Sequence, residues 1–301
     1  MIVFETMIHG ITALLMFIIQ LLPDVISAPF QYGFMQRALV TALMVGTVCG
    51  VLSCYVVLKR WALLGDAISH AVLPGVAIAY LLGIPLFIGA FFSGSVTSIG
   101  IGFLQRNTRI KEDSAMGILF TASFALGVVI ISRLATTTHL MHILFGNVLG
   151  VGLQQAAGTL AAGLLALVCV AVFYKPLLLY SFDPTHASAI GMPTAAIHYG
   201  LMLLLTLTIV TSLETVGVIL VVAMLIMPGA AASMLTHRLP VMMAIAAAIG
   251  AGSSAVGIYL SFMLNAASGG TIVLVAFSVF VLTALIAPEG PIRGRRIHRT
   301  A

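Results

Sequence analysis

Residues 37–58 read RALVTALMVGTVCGVLSCYVVL. After Arg37 the run holds no charge, and as a helix it would be about 33 Å long, enough to cross the roughly 30 Å hydrocarbon core of a bilayer. It lacks the strict apolar–polar alternation of a membrane β-strand. Runs of the same kind recur on both sides: 7–22 before it, and 65–83, 86–104, 115–133, 155–174, 195–213, 216–235, 239–264 and 270–287 after it. The reading is an all-α polytopic membrane protein with nine or ten spans. The first run is short and either crosses or lies in the interface. The join between 195–213 and 216–235 is tight enough that one of that pair is re-entrant or broken.

Composition agrees. Of 301 residues, 61% are hydrophobic and 7% charged, with mean hydropathy +1.20. A soluble domain carries about 25% charged residues, so this chain cannot cover a water-facing surface and its solvent is mostly lipid. The net charge of +5 does not point to nucleic acid, because the charges sit at the ends of apolar runs. With the N-terminus inside, eleven Lys and Arg fall on the inner ends: Lys59, Arg60, Arg106, Arg109, Lys111, Lys175, Arg238, Arg293, Arg295, Arg296 and Arg299. Only Arg37 and Arg133 fall outside. This positive-inside bias places both termini in the cytoplasm. No basic stretch precedes the first run, so a cleaved signal peptide is not expected. Cys49, Cys54 and Cys169 lie inside apolar runs and read as small buried hydrophobes.

The loops are short, so a single membrane domain is expected. The longest inner connection, about 175–193, holds Asp183 followed by Pro184, an N-cap candidate and a first-turn proline. A short helix along the inner face should follow. The basic tail 291–301 reads as a topology anchor or a contact for anionic lipid or a partner.

Two acidic residues fall within or between spans: Asp66 and Glu214. A carboxylate at membrane depth costs several kcal/mol, on the order of 3 kcal/mol on insertion scales, and marks a functional position by default. Asp66 and His70 are four residues apart, so they share a helical face; an oxygen and an imidazole nitrogen at that spacing can hold one divalent cation, and Ser69 flanks them. The bland reading of Asp66 is an interfacial N-cap. Glu214, in Thr211-Ser212-Leu213-Glu214-Thr215-Val216-Gly217, either adds a third ligand to that pair or is a gate residue facing outer water. His139 and His142 are polar loop residues or an outer metal-entry position; His9, His186, His198, His237 and His298 sit near span ends and read as structural. Leu73-Pro74-Gly75 and Met227-Pro228-Gly229 echo one another, as broken helices do in repeat-built transporters. No G-x-x-x-x-G-K-[ST], H-E-x-x-H or G-x-S-x-G occurs, which excludes a P-loop and argues against an intramembrane enzyme.

The string Leu63-Leu64-Gly65-Asp66-Ala67-Ile68-Ser69-His70-Ala71-Val72-Leu73-Pro74-Gly75 resembles the membrane permeases of bacterial ABC importers for manganese, zinc and iron. Further resemblance lies at Phe34–Leu39, Leu144-Phe145-Gly146-Asn147, Phe182-Asp183-Pro184 with Ala189-Ile190-Gly191, and Thr215–Gly229, so a family-like core spans 34–290. The resemblance implies a type II ABC importer permease in the bacterial inner membrane that binds no cofactor and catalyses no reaction of its own. It implies a second copy or a sister permease, ATP-binding cassette ATPase subunits inside that carry the ATP, and a metal-binding protein outside. Asp66 and His70 would face the pathway of Mn²⁺, Zn²⁺ or Fe²⁺, with manganese favoured. Residues 181–192 would form the coupling segment seated in the ATPase. The rival is a self-sufficient ion-coupled secondary transporter using Asp66 and Glu214 as proton carriers.

Overall fold

The computed structural model describes Gly10 and residues 27–133 and 148–287. Among these residues there are helices and no strands, and nine helical segments are long and apolar enough to cross a membrane. They match the nine expected runs from 37–58 onward. Apart from Gly10, the run 7–22 lies outside the described residues, as do His139, His142, Leu144–Asn147 and the tail 291–301.

The spans are α1 (Gly33–Leu58), α2 with α3 (Leu64–Ala71, Leu73–Leu82), α4 (Leu86–Asn107), α5 (Glu112–Ile131) and α6 (Leu153–Val172). After the short α7 (Tyr174–Phe182) and α8 (Pro184–Ala189) come α9 (Thr194–Val216), α10 with α11 (Val218–Met224, Met227–Leu235), α12 (Leu239–Leu264) and α13 (Ser268–Ile286). Helix α1 is central: 78% of its most apolar stretch is buried, against 11% for α13. It packs most extensively on α12, and also on α11 and α6.

Small residues make that crossing close. A Cβ on Gly250 would stand 2.0 Å from the Gly46 carbonyl oxygen, and one on Gly46 would stand 2.4 Å from that of Gly250. Between helices in lipid, where burial gives little net drive, such backbone proximity supplies the dispersion contact that holds them.

Two spans are interrupted, as the Pro-Gly echo suggested. Pro74 has no N–H to offer the His70 carbonyl, so the second described span bends between α2 and α3. The Ala71 carbonyl is served from outside the helix: Ser93 Oγ of α4 donates to it at 2.7 Å. Gly75 then seats α3 on α4, where a Cβ would meet the Gly89 oxygen at 2.0 Å. Pro228 does the same to the seventh described span, and Gly229 lies against the Ser53 backbone of α1. Of the tight pair, it is therefore the later span that is broken, at Leu225 and Ile226. Gly217 makes the turn before it at φ +83°, a region that L side chains rarely adopt.

Candidate functional site

Asp66 and His70 lie on α2, the half-helix that ends at the bend. Asp66 sits in the first turn, where the helix dipole favours an anion. Ala67, Ile68 and Ser69 between the two are buried, while the Asp66 and His70 side chains stay 47% and 30% exposed. The His70 Nε2–Asp66 Oδ1 distance is 3.4 Å. The imidazole is held from the far side by Phe120 and Phe124 of α5, with ring centroids 5.4 and 5.5 Å away. His70 Nδ1 is buried and makes no hydrogen bond among the described residues. Ser69 does not join the pair; it is fully buried and its Oγ donates to the Gly65 carbonyl at 2.7 Å.

The spacing suits a shared ion. With metal–ligand bonds of about 2.2 Å, donors 3.4 Å apart subtend about 100°, between octahedral and tetrahedral values. A direct charge-assisted bond would be shorter, at about 2.7–2.9 Å.

Glu214 is not brought to this pair. A Cβ on Gly94 would touch Ile68, Val72 and Thr206 together, which sets Thr206 of α9 level with the α2–α3 bend. Glu214 lies eight residues further along α9, about 12 Å at 1.5 Å per residue. It is exposed, and Gln155 Nε2 donates to its Oε1 at 3.3 Å. The two face an open groove of about 810 Å³ that also takes in Pro85, Phe87, Thr159 and Thr211. Among the described residues no group of three His, Cys, Asp or Glu could hold a metal ion. Glu214 thus lines an open groove, apart from the Asp66–His70 pair.

The expected short helix forms as α8. Asp183 Oδ1 accepts from the His186 N–H at 2.9 Å, and Pro184 occupies the first turn. That bond holds the Asp183 carboxyl below the usual carboxylate range. Phe182, Asp183, Pro184, Ala189, Ile190 and Gly191 are all exposed, while Ala187 anchors the helix.

Sequence reasoning missed a cluster behind this arm. His198, read as merely structural, shares a 2.7 Å hydrogen bond between its Nδ1 and the Tyr180 hydroxyl, and its ring stands nearly perpendicular to that of Trp61 at a centroid distance of 5.3 Å. Lys59 Nζ stands 4.1 Å from the Tyr180 ring centroid. Burial lowers the Lys59 pKa, with Glu112 opposing, and pushes the Tyr180 hydroxyl up to about 12. The available signal was the single tryptophan two residues after a lysine at a span end.

Comparison with known proteins agrees with this architecture. The ABC 3 transport family matches residues 31–287. The manganese transport system membrane protein MntC of Halalkalibacterium halodurans is 53% identical over 260 residues, 86% of this chain and 89% of that one. The chelated iron transport system membrane protein YfeD of Yersinia pestis is 48% identical over 274 residues, 91% and 92% of the two chains. The structure of PsaBC from Streptococcus pneumoniae in complex with Fab superposes with a TM-score of 0.81 at 41% identity, covering 92% of this chain and 99% of that one. An inward-facing metal-chelate type ABC transporter, at 18% identity and a TM-score of 0.63, shares the fold. Matched across nearly its whole described length, the chain belongs to the ABC 3 transport family and is a membrane permease of a metal-ion importer, a translocation subunit and not an enzyme.

Proposed function

We propose that this permease conducts a divalent metal, manganese first and zinc or iron(II) next, in an importer driven by ATP on separate ATP-binding cassette subunits. The observation that carries this is the Asp66–His70 pair: a carboxylate and an imidazole 3.4 Å apart, both partly exposed in an apolar span. That pair replaces part of the water shell an ion loses on entering. Carboxylate and imidazole suit Mn, Fe and Zn. A soft Cu(I) site would want clustered thiolates, and Cys49 and Cys54 are instead buried in the packing of α1. The relatives named for manganese and for chelated iron support the same group of metals.

The remaining assignments follow from this reading. Both termini lie in the cytoplasm and the chain sits in a bacterial inner membrane, as the charge bias favours. Residues 181–192 couple to the ATPase through the exposed α8. A metal-binding protein delivers at the opposite face, where Glu214 lines the groove, and a second copy or sister permease completes the pathway.

Uptake of radioactive manganese by cells tests the proposal. Asp66→Ala and His70→Ala should each reduce accumulation to background with the complex still assembled. Uptake near the wild-type level in both would remove the pair from the pathway.

A further inference from the structure

We propose that Lys59, Trp61, Tyr180 and His198 are positioning residues that carry movement of the α7–α8 arm to α2, the helix bearing Asp66 and His70. This rests on the reading of 181–192 as the segment a partner ATPase moves.

The four residues come from three distant stretches: the α1–α2 turn, the end of α7 and the start of α9. Each joint is short. Tyr180 lies two residues before Phe182 and binds His198 Nδ1 through its hydroxyl at 2.7 Å. His198 meets the indole of Trp61 edge to face, with an interplanar angle of 81°. Lys59 closes the ring over Tyr180. Trp61 is fully buried, and its backbone is tied at both sides: its N–H donates to Val56 O at 2.8 Å, and its carbonyl accepts the first-turn N–H of Leu64 at 2.9 Å. The indole therefore cannot shift without shifting the first turn of α2, with Asp66 five residues on.

Two features argue against simple packing. Arg60, between the two cluster residues of the turn, holds φ +59°, a backbone region that non-glycine residues seldom adopt. Trp61 Nε1 and His198 Nε2 are buried and make no hydrogen bond among the described residues. Buried polar atoms without partners cost stability. Apolar rings would fill the same space without that cost, so packing alone does not account for these two nitrogens.

The test uses the complete transporter in proteoliposomes, measuring manganese uptake and ATP hydrolysis on the same samples. Tyr180→Phe keeps the ring and removes the hydroxyl joint. It should lower metal moved per ATP by about fivefold, the weight of one buried hydrogen bond, with hydrolysis and manganese binding to the nucleotide-free complex retained. Trp61→Phe should act likewise, and the double variant should fall no further than the worse single, as members of one linkage do. Lys59→Met serves where Trp61→Phe fails to assemble. Wild-type metal per ATP in Tyr180→Phe and Lys59→Met overturns the linkage, and so do uptake and hydrolysis falling in equal proportion, the mark of a structural role. A wild-type complex with no ATP-dependent uptake at all would refute the ATP-driven reading itself, a different result from an intact ratio in the variants.

Discussion

Gly75→Ala is a sharp probe of how α3 is seated. The new Cβ would lie 2.0 Å from the Gly89 carbonyl oxygen and 2.6 Å from Ser93 Cβ. Ordinary contact begins at 3.4 Å, so the backbones must part by 3.4 − 2.0 = 1.4 Å. The obstruction is backbone on a helix, so no rotamer change relieves it. Overpacking of this kind costs about 1–3 kcal/mol, and the upper half of that range is expected. The displaced Ser93 also supports the Ala71 carbonyl at the bend. Gly252→Ala is the matched control, since nothing stands within 4 Å of its Cβ position. Unfolding of the purified protein in mixed detergent micelles, titrated with SDS, reads the difference. Gly75→Ala should unfold at clearly lower SDS than wild type, and Gly252→Ala close to it. Equal midpoints for the two variants would refute the packing argument.

Other consequences can be checked in parallel. Ser93→Ala leaves the Ala71 carbonyl short of its 2.7 Å partner and should cost about 1 kcal/mol in the same titration. Glu214→Gln should leave manganese binding at the Asp66–His70 pair unchanged by calorimetry, because Glu214 lies about 12 Å of helix beyond Thr206, the α9 residue level with the bend; loss of binding would return Glu214 to the ligand set. Asp183 has a depressed carboxyl, so its support of α8 is complete above the unfolded carboxylate pKa of about 3.9 and is lost as pH falls through the lower folded value. Amide exchange at Ala187 and Ile190, corrected for intrinsic rate, should therefore rise on acidification in wild type and be high at every pH in Asp183→Ala.

What could be read from the chain and what could not divide along physical lines. The spans were legible because an apolar run of about 20 residues has few options in lipid. Asp183-Pro184 announced α8 because capping is a matter of adjacent residues. Asp66 and His70 were legible as a pair because i and i+4 face together within one helix. Glu214 was not, since its distance from the pair depends on how far α9 is offset from α2, and helical period carries no information on that offset. The Ser69 hydroxyl, expected beside the pair, turned to the Gly65 carbonyl, the usual recourse of a serine buried in a helix. The Tyr180–His198 contact lay hidden for another reason. Its partners stand on either side of the α8 reversal, and only the folded arm brings them to 2.7 Å.

The claim on which the account turns is that a divalent ion passes between Asp66 and His70. The most direct measurement is an anomalous difference map from manganese-soaked crystals of the assembled transporter, collected above and below the manganese edge. The account predicts a peak bonded to an Asp66 carboxylate oxygen and to a His70 ring nitrogen, absent in Asp66→Ala. A manganese peak elsewhere in the pathway, with both side chains unbound, would contradict it.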